Sequence, residues 1–230
     1  MASFRHARED FRPAMNEAFG PIRLIHILAG AIALVIGPLA MITFKGGRWH
    51  RRWGKIYFWA MATVALTALI MCWLRSGLFL FLVAIFSFYL ALTGYTVLRR
   101  KTPQDRPQPL DWIAALTVCL ASVTLIVYGG FWVQSSARWI CLAFGIIGLL
   151  LGGSEIKSFL RPPIDKRAWY YAHMIRFLAA YVATVTAFSA VNFSFLPTIW
   201  RWLWPTLIGI PAIKLCKHYY QRKFTKPPST

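Results

Sequence analysis

The sequence predicts an all-α fold, a polytopic transmembrane helix bundle of seven spans with the N-terminus outside and the C-terminus cytoplasmic. Three observations carry this. The chain is 58% hydrophobic and only 14% charged, whereas soluble domains hold ~25% charged residues. Its apolar residues come in blocks as long as the ~20 residues needed to cross a hydrocarbon core. Its basic residues concentrate in alternate connections between those blocks, as topology signals do.

The seven blocks are residues 22–44, 54–74, 77–98, 111–133, 137–157, 169–192 and 197–217. Before the first lies a polar segment, 1–21, containing Glu9, Asp10 and Glu17. It lacks the short basic start and cleavable apolar core of a secretory signal, so it reads as an extracytoplasmic tail. The connections are short, which leaves one membrane domain, 22–217, followed by a basic cytoplasmic tail, 218–230. In the first block His26, Gly30, Ala33 and Gly37 share one helical face; in the fifth, Gly145, Gly148, Gly152 and Glu155 do; in the sixth, His173, Arg176, Ala180 and Thr184. Small residues let membrane helices approach closely, so these faces are expected to look inward with the rare polar groups on them. The seventh block carries Pro205 and Pro211, which free the carbonyls of Arg201 and Leu207 from their usual donors.

Orientation follows from a count. Of 26 Lys and Arg residues, 18 fall in the connections 45–55, 99–106 and 157–167 and in the tail 214–226. The opposite face holds Arg5, Arg8, Arg12, Arg23, Arg75, Arg138 and Arg201, and Arg176, two turns into the sixth block, is the one counted as lying within a span instead of at an edge. Positive charge stays in the cytoplasm. Tryptophan, which prefers the headgroup level, agrees: Trp49, Trp53, Trp112 and Trp169 fall at the inner edge, and Trp73, Trp132, Trp139, Trp200, Trp202 and Trp204 at the outer. The net charge of +19 is therefore a membrane signature, and nucleic acid is not an expected partner. The expected partners are the lipid bilayer, anionic headgroups against the basic inner face (KGGRWHRRWGK in particular) and a larger membrane complex.

Ionisable groups inside a membrane cost at least ~2.5 kcal/mol on insertion scales, so each is a candidate for ligand or proton binding. They are His26, His50, Asp111, Glu155, His173 and Arg176. All but His26 approach the cytoplasmic boundary. The plainer reading pairs Glu155 with Arg176 and lets the histidines donate to backbone carbonyls at the interface. The sharper one sets His50 and His173 on either side of a metal, a haem b iron if any, through neutral imidazole nitrogens. His26 has no second histidine in a span at its own depth, which excludes a bis-histidine two-haem relay. The cysteines Cys72, Cys119, Cys141 and Cys216 show no metal-ligand spacing and read as apolar filling; spacing leaves a Cys72–Cys141 disulfide undecided. No nucleotide loop, catalytic triad or HExxH motif appears.

The stretch HILAGAIALVIGPLAMITFKGGRWHRRWGKIYFWAM, then AIFSFYLALTGY, AHMIRFLAAYVATVTAFSAVNF and LPTIWRWLW, resembles the uncharacterised bacterial membrane proteins grouped as domain of unknown function 2306. The similarity covers all seven spans, and HRRWGKIY is its most specific part. It marks His26, His50, Arg51, Gly54, Tyr57, His173, Arg176 and Asn192, with His173 three residues before Arg176 where many relatives set the histidine two turns earlier. It implies a multi-pass protein of the bacterial inner membrane and brings no activity with it.

The expected function is that of a membrane protein without a catalytic motif, more a subunit of a complex or a small-ligand binder than an enzyme. One alternative is a single-site b-type haem or quinone-linked redox protein using His50 and His173. Another is a small proton-coupled transporter gated by Glu155, Arg176 and the Pro205–Pro211 break.

Overall fold

The computed structural model describes the backbone of residues 2–75 and 77–225 and the side chains of residue 17 and of residues 19–75 and 77–224. The side chains of Arg5, His6, Arg8 and Arg12, and Lys226 in the tail, lie outside the described residues. Within them the chain is all helical: α1 (Ala2–Ile42), α2 (Arg48–Arg75), α3 (Leu78–Thr96), α4 (Pro109–Phe131), α5 (Ala137–Leu160), α6 (Ala168–Asn192) and α7 (Thr198–Thr225). A short 3-10 turn, Val97–Arg99, extends α3. Six helices, α1 to α6, carry stretches long and apolar enough to cross a membrane, that of α1 being Phe19–Ile42. The seventh is 28 residues long, yet Arg201, Lys214, Lys217 and two internal prolines keep it less apolar than the rest.

Each apolar block became a helix, and several helices overshoot their blocks. α1 runs back to Ala2 through the expected tail, α2 starts at Arg48 inside the basic turn, and α7 continues to Thr225. The reason is local. Backbone hydrogen bonding within a helix is indifferent to whether side chains meet lipid or water, so polar flanks extend it.

The chain divides into two compact units, Met1–Ala84 and Ile85–Thr230. In the first, α1 and α2 pack as an antiparallel hairpin. Gly46 closes the turn with φ 78°, a left-handed conformation that suits glycine. Arg51 Nη1 donates to the Gly46 carbonyl (3.0 Å), and Lys45 Nζ donates to the Met41 carbonyl, satisfying backbone groups the helix end leaves open. Ala33 is fully buried and Gly37 is buried too, so the small-residue face of α1 does look inward. Gly30 is different: a Cβ there would meet nothing within 4 Å.

In the second unit, glycines set the helix spacing. A Cβ on Gly145 would sit 2.6 Å from Ile126 Cγ1, one on Gly152 2.6 Å from Cys119 Sγ, and one on Gly148 would collide with Ser122 Oγ. These three positions let α5 lie directly against α4, the close approach that replaces hydrophobic driving force in lipid. Gly94 does the same for α3 and α6, because a Cβ there would stand 2.8 Å from Phe177 and 3.2 Å from Arg176 Cβ. Between α6 and α7, Gly209 faces Val182 and Trp204 Nε1 donates to Ser189 Oγ at 2.7 Å. Neither Cys72 nor Cys141 forms a disulfide.

Candidate functional site

Four charged side chains of the second unit come together where α3, α4, α5 and α6 end or begin. Glu155, on the glycine face of α5, is 1% exposed. Its carboxylate meets two arginines: Oε1 accepts from Arg100 Nη2 at 2.8 Å, and Oε2 forms an ion pair with Arg176 Nη2. Arg100 Nε lies 3.6 Å from Asp111 Oδ2, and Arg176 Nη1 donates to the Thr93 carbonyl at 3.3 Å. The result is an unbroken series, Asp111–Arg100–Glu155–Arg176, with two cations and two carboxylates.

Local structure positions each member. Arg100 follows the 3-10 turn, in a non-helical conformation (φ −117°, ψ 70°) that takes the chain out of α3. Its guanidinium lies 4.7 Å from the centre of the Phe159 ring of α5. Asp111 is the third residue of α4 and accepts from the Gln108 N–H at 2.9 Å, half of a capping box, so its charge also meets the positive end of the helix dipole. Arg176 reaches α5 because Gly94 lets α6 approach α3. Burial pulls the Arg100 guanidinium below its ordinary value, and the Asp111 carboxylate opposes that. Three buried atoms of the network, Arg100 Nε, Asp111 Oδ1 and Glu155 Oε2, make no hydrogen bond among the described residues, although Arg100 Nε and Glu155 Oε2 each take part in an ion pair.

Above this base lies a cavity of about 770 Å³, lined by segments 97–112 and 158–176. Arg100 and Arg176 form part of its floor. Trp112, Phe159 and Trp169 supply aromatic walls, Pro103, Pro107, Pro162 and Pro163 a stiff rim, and Lys101 and Arg106 cationic heads. Lys101 Nζ sits 5.2 Å from the centre of Trp169. Asp105, also on the rim, accepts from the backbone N–H groups of Lys101 (3.0 Å) and Thr102 (2.8 Å), and those bonds hold its carboxyl below the usual range. The volume falls within the range of about 300–1,000 Å³ typical of small-molecule sites, and the lining joins aromatic and proline side chains to a rim rich in charged groups.

Of the six residues the sequence singles out, Asp111, Glu155 and Arg176 meet in this network. His173 is one turn from Arg176 but turns to α3, its Nδ1–H donating to the Gly94 carbonyl at 2.8 Å with the ring 4.9 Å from Phe177. His26 and His50 belong to the first unit. His26 Nδ1 lies 3.2 Å from the Val64 carbonyl and 3.0 Å from Thr67 Oγ1, tying α1 to α2, and His50 Nδ1–H donates to the Ala40 carbonyl at 2.9 Å. Among the described residues no group of three or more His, Cys, Asp or Glu is placed to hold a metal. For His50 and His173, the Nδ1–H given to a backbone carbonyl fixes the orientation of the ring.

Sequence reasoning missed Arg100, which counted only as one basic residue in the run Arg99–Lys101. A charge balance pointed to it. Asp111 and Glu155 at one membrane edge face a single intramembrane cation, Arg176, so a second cation had to come from the adjacent loop.

No curated protein and no solved structure matches the chain. A family model described as "Predicted membrane protein (DUF2306)" matches residues 23–154, a range that contains Arg100 and Asp111 and ends one residue before Glu155. That range is more than half of the 230 residues, and the chain belongs to this family of membrane proteins.

Proposed function

We propose that this protein is a multi-pass protein of the bacterial inner membrane that binds a small ligand without transforming it, alone or as a subunit of a larger complex. The observation that carries this reading is the cavity of about 770 Å³ set over a buried, internally neutralised charge network. A network of two guanidinium groups and two carboxylates is neutral overall and supplies a polar floor for a ligand. Seven spans, an outside N-terminus and a cytoplasmic C-terminus complete the proposal. They are supported by α7, whose 28 residues reach roughly 40 Å at 1.5 Å per residue. Tryptophans 200, 202 and 204 lie near one of its ends and Lys217, Arg222 and Lys223 near the other. On that topology the cavity opens at the cytoplasmic face.

The test is an inventory of what copurifies in mild detergent, by native mass spectrometry and absorption spectroscopy. A bound small molecule is expected in the wild type and is lost on Ala172→Trp, which fills the cavity from α6. Wild-type protein that carries no small molecule would overturn the proposal, and a Soret band would replace it with the haem reading.

A further inference from the structure

The cavity has a charge gradient that names its ligand class. Its floor is balanced, because Arg100 and Arg176 are matched by Glu155 and Asp111. Its mouth is not. Besides the floor's Arg100, the loop 99–106 beside it holds Arg99, Lys101 and Arg106 against Asp105, and the neighbouring segment 157–167 holds Lys157, Arg161, Lys166 and Arg167 against Asp165; of these Lys101, Arg106, Asp105 and Asp165 line the cavity itself. The segments around the mouth therefore carry net charges of +2 and +3. The two rim carboxylates are also turned into their own backbones, Asp105 to Lys101 and Thr102, Asp165 to the Arg167 N–H at 2.8 Å. Lys101 and Arg106, both exposed and both lining the cavity, make no ion pair among the described residues. Trp112, Phe159 and Trp169 add aromatic surface to the same lining, with Arg100 over the Phe159 ring and Lys101 over that of Trp169.

An anion at the mouth with an apolar body behind it satisfies both halves, and an aqueous anion satisfies only the first. Resting on the ligand-binding reading above, we propose that the ligand is a phosphate-bearing amphiphile. Its anionic head is held by Lys101 and Arg106, and its apolar portion lies against Trp112, Phe159 and Trp169. The mouth sits at the level where helices α3 to α6 start or stop, so the ligand enters from the bilayer edge.

The experiment measures retention on delipidated full-length protein by native mass spectrometry, with phosphatidylglycerol, phosphatidylcholine and free glycerol phosphate as probes. Phosphatidylglycerol is expected to bind at least tenfold more tightly than phosphatidylcholine. Lys101→Gln and Arg106→Gln should each weaken it about fivefold, the effect of one charge near a membrane surface. Lys157→Gln, outside the cavity lining, serves as the control and should leave the preference intact. Equal retention of the two lipids, both abolished by Ala172→Trp, would overturn the anionic head while sparing the ligand-binding reading. Glycerol phosphate binding as tightly as phosphatidylglycerol would overturn the apolar portion. Absence of any probe from the cavity would remove both readings together.

Discussion

Replacing Glu155 by Gln is the sharpest perturbation of the network. The side chain is 1% exposed and its two oxygens serve two guanidinium groups, Arg100 at 2.8 Å and Arg176. Glutamine keeps the shape but offers one acceptor, and its NH2 turns a donor toward an arginine N–H. Two cations then remain at a largely buried site with Asp111 as their only carboxylate, 3.6 Å from Arg100. Breaking a buried pair from one side costs about 3–5 kcal/mol, a roughly hundred- to several-thousand-fold fall in the folded-to-unfolded ratio. The cost comes from the stranded charges, so removing the cation as well should restore stability. Glu155→Leu combined with Arg176→Leu leaves Arg100 with Asp111 and the Phe159 ring, and is expected to recover at least half of the loss. The assay is unfolding in mixed micelles titrated with a denaturing detergent, followed by tryptophan fluorescence. An E155Q protein within 1 kcal/mol of wild type, or a double variant less stable than E155Q, would refute the account.

Gly152→Ala places a Cβ 2.6 Å from Cys119 Sγ and 2.9 Å from Val118 Cγ1, so α5 has to move off α4; a loss of about 1–3 kcal/mol is expected in the same titration, whereas Gly30→Ala, with nothing within 4 Å, should be neutral. Asp105 has a depressed pKa from its bonds to Thr102 and Lys101. A carboxyl depressed on folding contributes order that is complete above its unfolded value and lost as pH falls through its folded one. Amide exchange of the 101–105 turn, corrected for intrinsic rates, should therefore be steady at neutral pH and rise below about pH 4, and Asp105→Asn should raise it at neutral pH and remove that acid rise.

The family was legible only as a resemblance carried by stretches such as HRRWGKIY, whereas the membrane and helical character was legible because it depends on properties summed over ~20 residues, where individual exceptions cancel. The inward faces of α1, α5 and α6 were legible for a similar reason: helical period assigns side chains to faces without knowledge of the neighbours. The same logic placed Asp111, Glu155 and Arg176 at one membrane edge. It failed for Arg100, since residues in a connection have no period to assign them a direction. Arg99 instead donates to Gln108 Oε1 at 2.7 Å while its neighbour turns to Glu155. It also set His50 and His173 at matching depth, but depth does not specify which carbonyl a ring will bond, and each took one nearby, on Ala40 and Gly94.

Composition and spacing by themselves determined that the chain is helical, that it belongs in a membrane and where its helices run, because the cost of exposing polar backbone to hydrocarbon leaves few other solutions. The tertiary structure decided what the polar residues do. Only the approach of α5 to α4 and of α6 to α3, at distances that glycine alone allows, turns a loop arginine and three helix residues into a single buried series beneath a cavity. Such pairing depends on ångström-scale separations between segments far apart in the chain, and no pattern along the chain encodes those separations.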